Sequence, residues 1–143
     1  MIHSMKELFL HIQSDSVGYY IKEQLLVLMH LDVNDVNFQL LDEICNRSFA
    51  YVEIDDEMKV TTLLIISKQK LRLNHVLVIE ALNSSTENET AEKNILNYAL
   101  ENMYDNTASK LISFIEDERI QKNVLSCMDF SMYTDAYVMT LSP

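Results

Sequence analysis

Hydrophobic positions recur along this chain with two different periods, and each change of period marks a new element. Residues 6–13 contain a short apolar run, ELFLHI, closed by the polar cluster Ser14-Asp15-Ser16, which predicts a first strand. Asp15 or Ser16 then caps a helix in which Val17, Tyr20, Ile21, Leu25 and Leu28 recur every three or four residues and lay one apolar face on a core. Asn34 caps a second, shorter helix, with Phe38, Leu41 and Cys45 on one face and Leu40 and Ile44 beside them. From Ser48 the period falls to two: Ala50, Val52 and Ile54 alternate with Phe49, Tyr51 and Glu53, and Asp55-Asp56-Glu57 supplies a turn. Lys59 to Ser67, rich in Val, Thr, Leu and Ile, completes an antiparallel hairpin.

A basic turn at Lys68 to Lys70 leads into the stretch on which the rest of the chain depends, Asn74 to Met103. The run VLVI at 76–79 is apolar on both faces, as a strand in mid-sheet must be. The polar loop NSSTENE follows, and then a helix for which Thr86 and Glu89 form a capping box. Ala91, Ile95, Ala99 and Met103 line up along that helix, flanked by Leu96 and Leu100, so that it packs on the sheet. Asn106 to Ser109 reads as a loop, LISFI at 111–115 as a buried strand, and Arg119 to Met128 as a helix with Ile120, Val124 and Cys127 on one side. The alternating run from Tyr133 to Leu141 predicts a closing strand.

A strand leading straight into a helix N-terminus is the commonest place for a fold to bind an anion. Here the side chains argue the other way. Between Arg72 and Lys93 only His75 can carry a positive charge, while Glu80, Glu87, Glu89 and Glu92 all fall within the span.

Composition narrows the field further. The chain has 143 residues, one domain's worth (1–143), with 48% hydrophobic and 23% charged residues and no apolar run near the ~20 residues of a membrane helix. The N-terminus has charges within its apolar part and no small-residue cleavage site, so a cytoplasmic protein is expected. Gly18 is the only glycine and Pro143 the only proline, which removes dinucleotide fingerprints, Walker loops and nucleophile elbows, all of which need internal glycines. Ser67 and Lys70 match a Ser-x-x-Lys pair only formally, without supporting motifs. Cys45 and Cys127 stand far apart with no histidine at ligand spacing and read as core residues; no metal site is expected. The net charge of −11 argues against nucleic acid and would attract cationic small molecules or basic protein surfaces.

The resulting order is strand, two helices, three strands, helix, strand, helix and terminal strand. At this length it resembles the GNAT superfamily of N-acetyltransferases across nearly the whole chain. YVEIDDEMKVTTLLII looks like that family's second-to-third strand hairpin and DAYVMTL like its closing strand, with Asp135 and Met139 in familiar places and Phe130 where the family has the Phe of a Gly-Phe pair. The resemblance implies an α/β (α+β) fold: a GNAT-like mixed, mostly antiparallel central sheet flanked by about four helices. It also implies a sheet that widens between its fourth and fifth strands; a closed sheet would instead mark an unrelated α+β binding domain.

The family's motifs depart from this chain residue by residue. GNAT members follow the fourth strand with an Arg or Gln and then a glycine-rich loop whose amides hold the pyrophosphate of acetyl-CoA. The corresponding stretch, Leu82 and then Glu87, Asn88, Glu89, Thr90, Ala91 and Glu92, puts Glu87 at the basic position and Thr90 and Glu92 at the small-residue positions. Carboxylates there satisfy the helix dipole internally and repel a diphosphate. Leu125 stands where the family has a tyrosine that protonates the leaving thiolate; Tyr133 is the nearest phenol, and Glu80 on the fourth strand is the one candidate base.

Two functions follow. One is a GNAT-fold protein that has lost standard acetyl-CoA binding and acts as a non-catalytic binding or regulatory module, with a protein partner or with itself, through a sheet edge or the acidic face. The alternative is an active acetyl-CoA-dependent N-acetyltransferase that acts on a cationic amine through an unusual phosphate loop, with Glu80 as base. The sequence favours the first.

Overall fold

The structure, a computed structural model, describes residues 1–71, 74–86, 88–102, 110–113, 131–133 and 136–140. Its frame is a seven-stranded sheet in the order β1-β2-β3-β4-β5-β7-β6. The strands are β1 (Ile2–Ser4), β2 (Ser48–Ile54), β3 (Val60–Leu71), β4 (Asn74–Ser84), β5 (Lys110–Ser113), β6 (Ser131–Tyr133) and β7 (Ala136–Thr140). Four helices are described: α1 (Met5–His11), α2 (Asp15–Leu28), α3 (Asp35–Arg47) and α4 (Glu89–Asn102). The β4–β5 pair is parallel and every other pair antiparallel, so the sheet is mixed and mostly antiparallel. No helix among the described residues is long and apolar enough to cross a membrane.

The chain's first apolar run is a helix, not the expected strand. Met5, Leu8, Phe9 and Ile12 recur at three- and four-residue spacing and pack on the sheet, whereas Leu10 is 75% exposed. Three helices thus follow the first strand, which is displaced to Ile2–Ser4 and pairs with β2. Ser14 rather than Asp15 or Ser16 caps α2, accepting from the Val17 amide at 3.5 Å, while Asn34 caps α3 as expected, accepting from Asn37 at 2.9 Å. Tyr20, placed on the buried face by its spacing, is 41% exposed; Ile21, Leu25 and Leu26 are the buried residues of α2.

Two cores lie on opposite faces of the sheet. Helices α1 to α3 cover one, in which Met5, Leu25 and Leu41 meet Val52, Leu63 and Ile65. Helix α4 covers the other, in which Ile95, Leu96 and Ala99 meet Leu64, Ile66, Leu77, Ile79 and Leu82. Side chains alternate along a strand, so Ile79 and Leu82, three apart, should face opposite ways. They share a face because β4 carries a bulge: Ile65 lies opposite Ala81 and Ile66 opposite Ile79, which leaves Glu80 as the extra residue. The bulge reverses the phase of everything beyond it and so turns Leu82 and Ser84 toward α4.

Two further expectations are corrected. Lys68 to Lys70 form no turn: they lie within β3, which stays paired with β4 as far as Leu71 opposite Asn74, so the connection is reduced to residues 72–73. The closing run is not one strand, since Tyr133 pairs with Ala136 and the chain reverses between β6 and β7. The expected last helix, Arg119 to Met128, lies outside the described residues, as do the loop 106–109, Met103, Leu125, Cys127, Phe130 and Asp135.

Gly18 sits inside α2, its amide donating to the Ser14 carbonyl at 3.0 Å, with no left-handed backbone to require a glycine. A Cβ added there would meet Ile12 Cγ2 at 3.8 Å, an ordinary contact. Gly18→Ala is therefore expected to stabilise the fold by about 0.5–1 kcal/mol, read as a higher urea midpoint with an unchanged slope.

Candidate functional site

The region between β4 and α4 is built on the phase change at Glu80. Among the described residues, Ile79 opposite Ser113 is the last pair between β4 and β5, immediately before Glu80. This is where the sheet is expected to widen. Glu80 itself is exposed and accepts a hydrogen bond from the Ser67 hydroxyl at 2.9 Å. Tyr133 ends β6, three strand steps from β4, so at least about 14 Å of sheet separates the two backbones. The structure does not bring these two candidates together.

The stretch after β4 is tightly self-satisfied. Asn88, rather than the expected Thr86, caps α4: its Oδ1 accepts from the Ala91 amide at 3.1 Å, while its carbonyl accepts from the Glu92 amide at 3.1 Å. The Asn88 amide donates to Ser84 Oγ at 2.7 Å, and Ser84 Oγ donates to Glu92 Oε1 at 2.8 Å. Thr86 is exposed in the turn and takes no part in this relay. Glu92 is fully buried and Ser84 nearly so. A buried carboxylate is costly unless it is hydrogen-bonded, and the Ser84 hydroxyl is one group that supports it. Leu82, a candidate for cofactor contact, is buried in the α4-side core; Asn88, Glu89 and Thr90 are exposed, Ala91 is half-buried, and Glu87 lies outside the described residues.

Sequence reasoning missed Ser84, because only the bulge brings it under the helix. It also missed Thr62, which lies directly opposite Ser84 in the β3–β4 ladder. The Thr62 hydroxyl is buried and, among the described residues, has no hydrogen-bond partner. Thr62→Val, which removes the unsatisfied group at nearly constant volume, is expected to raise stability by about 1 kcal/mol in a urea titration.

A nucleophile lies on the opposite face. Cys45 is half-buried beside Lys6 and Lys22; burial, and after it Asp42, pushes its thiol up, against a smaller opposing effect of the two lysines, so that it stays protonated at neutral pH.

This architecture recurs in known structures. The chain superimposes along its whole length on aminoglycoside 6'-acetyltransferase type Ii, with a TM-score of 0.69 and 10% identity over 98% of that protein. It does so equally on glucosamine-6-phosphate N-acetyltransferase from Arabidopsis thaliana, with a TM-score of 0.69 and 13% identity over 96% of that protein. A chain of the NatC complex bound to Gag peptide and CoA matches 99% of this chain and 98% of its own length, with a TM-score of 0.66 and 13% identity. No family model matches the sequence, and no curated protein matches it. The chain has the GNAT N-acetyltransferase fold.

Proposed function

We propose that this chain is a non-catalytic binding or regulatory module that retains the acetyltransferase fold without its cofactor. The observation that carries this reading is the Asn88–Ser84–Glu92 relay. Pyrophosphate binding at a helix N-terminus needs free amides and no competing anion. Here the amides of Asn88 and Ala91 already donate to side chains within the chain, and a buried carboxylate lies against Ser84, the group that accepts from the Asn88 amide. Glu89 adds a second carboxylate in the first turn. These residues do not fit a diphosphate.

Isothermal titration with acetyl-CoA tests this directly. No heat of binding is expected at millimolar ligand, a limit that corresponds to a binding free energy weaker than about 4 kcal/mol. A micromolar dissociation constant would sink the proposal. In that case the second reading takes its place, an N-acetyltransferase acting on a cationic amine. The feature in its favour is Glu80, which is exposed at the β4 bulge and oriented by the Ser67 hydroxyl, as a carboxylate base on this strand would be.

A further inference from the structure

Three clefts on the helical face join into one groove. One, of about 260 Å³, is lined by Lys6, Cys45, Asn46, Arg47 and the start of β2. A second, of about 440 Å³, shares Lys6, Cys45 and Asn46 with it and adds Phe9, Leu10 and Lys22. The third, of about 340 Å³, continues from Phe9 and Lys22 to Ile12, Gly18, Tyr19 and Phe38. The walls are aromatic and aliphatic, with Tyr19 packed on Phe38 at 5.1 Å and the Lys22 ammonium 5.3 Å from the Phe9 ring centre. Lys6, Lys22 and Arg47 face only Asp15 and Asp42 in the lining. Lys22 pairs with Asp42 at 3.6 Å, whereas Lys6 and Arg47 form no ion pair among the described residues. In a chain of net charge −11, this groove is a cationic exception.

The complementary shape is on the same face of the same chain. The β2–β3 turn presents Asp56, Glu57 and Met58 to solvent, Met58 being 44% exposed at a φ of 63°. It is a rigid projection. Asp55 Oδ1 accepts from the Glu57 and Lys59 amides, each at 2.9 Å, and Gln24 of α2 donates to the Met58 carbonyl at 3.0 Å. Gln24 and Gly18 are both on α2, six residues and so roughly 9 Å apart along its axis, with exposed Tyr20 between them.

We infer that this chain pairs with a second copy of itself through the α1–α3 face, the acidic, Met58-tipped turn of each copy seated in the groove of the other. A twofold axis crossing α2 between Gly18 and Gln24 makes both contacts at once, as an isologous interface requires. Met58 enters the apolar stretch between Phe9 and Tyr19, where a flexible thioether packs well against aromatic rings. Asp56 and Glu57 reach the rim at Lys6, Glu57 exchanging its exposed 3.7 Å pair with Lys59 for one across the interface. Gly18 leaves the groove floor without a side chain although its own helix would be better served by alanine, and the docked Met58 accounts for that choice. Naming a second copy as partner deepens the binding-module reading without resting on the loss of acetyl-CoA, so the titration and the test below fail independently.

Sedimentation equilibrium of the full chain over about a hundredfold range of concentration, at 0.15 M salt where the Debye length is about 8 Å, reads the association. A monomer–dimer equilibrium is expected. Glu57→Lys and Lys6→Glu should each weaken it about tenfold or more, and the double variant should recover to within about threefold of the unmodified chain, because the swapped charges meet again across the axis. Gly18→Leu should abolish it. All three positions affected lie on the surface or in the groove, and thermal unfolding of each variant at or above that of the unmodified chain confirms that the fold is kept. A chain that stays monomeric throughout overturns the inference, as does a dimer that ignores Glu57→Lys and Lys6→Glu or a double variant no better than the singles.

Discussion

Ser84→Ala is expected to lower the free energy of unfolding by about 3 kcal/mol, a large loss for one hydroxyl. Two effects combine. The hydroxyl donates to a carboxylate that is fully out of water, and hydrogen bonds to charged groups are worth about 1.5–3 kcal/mol. Its oxygen also accepts from the Asn88 amide, whose partner would be lost, although Asn88 is exposed enough for water to replace part of that bond. The neighbouring Ser85 is exposed in the turn, and its replacement by alanine should change stability by no more than about 0.5 kcal/mol. Urea unfolding of both variants separates a buried relay from a general cost of altering the loop. A Ser84→Ala loss near that of Ser85→Ala would show that the relay contributes little. A double-mutant cycle with Glu92→Ala should recover a coupling of about 1.5–3 kcal/mol.

This relay also shows what the sequence could and could not reveal. Elements whose identity rests on periodicity within one segment were legible: Ala50, Val52 and Ile54 face one core and Tyr51 the other, and Ile95 and Ala99 lie on the buried face of α4. The first apolar run reads as a strand because ELFLHI is continuous, and only the inclusion of Met5 and Ile12 reveals the helical spacing. The Lys68–Lys70 segment reads as a turn because it is charged, whereas ladder pairing with β4 carries the strand through it. At the C-terminal end, alternation from Tyr133 onward gave no sign of the reversal that pairs Tyr133 with Ala136.

The carboxylate-rich loop was visible as composition, but its arrangement was not. Read as a list, Glu87, Glu89 and Glu92 are equivalent repelling charges around a helix start. The structure distinguishes them: Glu89 is exposed, whereas Glu92 is buried against Ser84. Glu92 shares the buried face of α4 with Ile95, Leu96 and Ala99, and the hydroxyl that meets it there is supplied by the β4 bulge, a feature set by pairing with β3 and so invisible to a local reading. Glu80 is the bulge residue, so the same irregularity that turns Ser84 toward Glu92 also carries the one candidate base.

If the buried carboxylate is what bars the cofactor, removing it should open the site, and Glu92→Ala is expected to bind acetyl-CoA about tenfold or more tightly than the unmodified chain. Two like charges 5 Å apart interact by about 3 kcal/mol at an effective dielectric constant near 20, and half of that is already a factor of ten. Alanine keeps the propensity of α4, which glycine would not. It also frees the Ser84 hydroxyl to donate to a phosphate oxygen in place of the lost carboxylate, so the gain should fall away in the Ser84→Ala, Glu92→Ala double variant. Titration calorimetry on the three proteins reads both effects. An unchanged Glu92→Ala variant would mean that shape or the other carboxylates, and not Glu92, set the barrier. A gain that survives the loss of Ser84 would place the new contact elsewhere on the helix start. The outcome expected from the hydrogen bonds is sharper than either: Ser84 holds the fold together through Glu92 now and would hold a phosphate once Glu92 is gone, because a hydroxyl at that position has one proton to give and both acceptors compete for it.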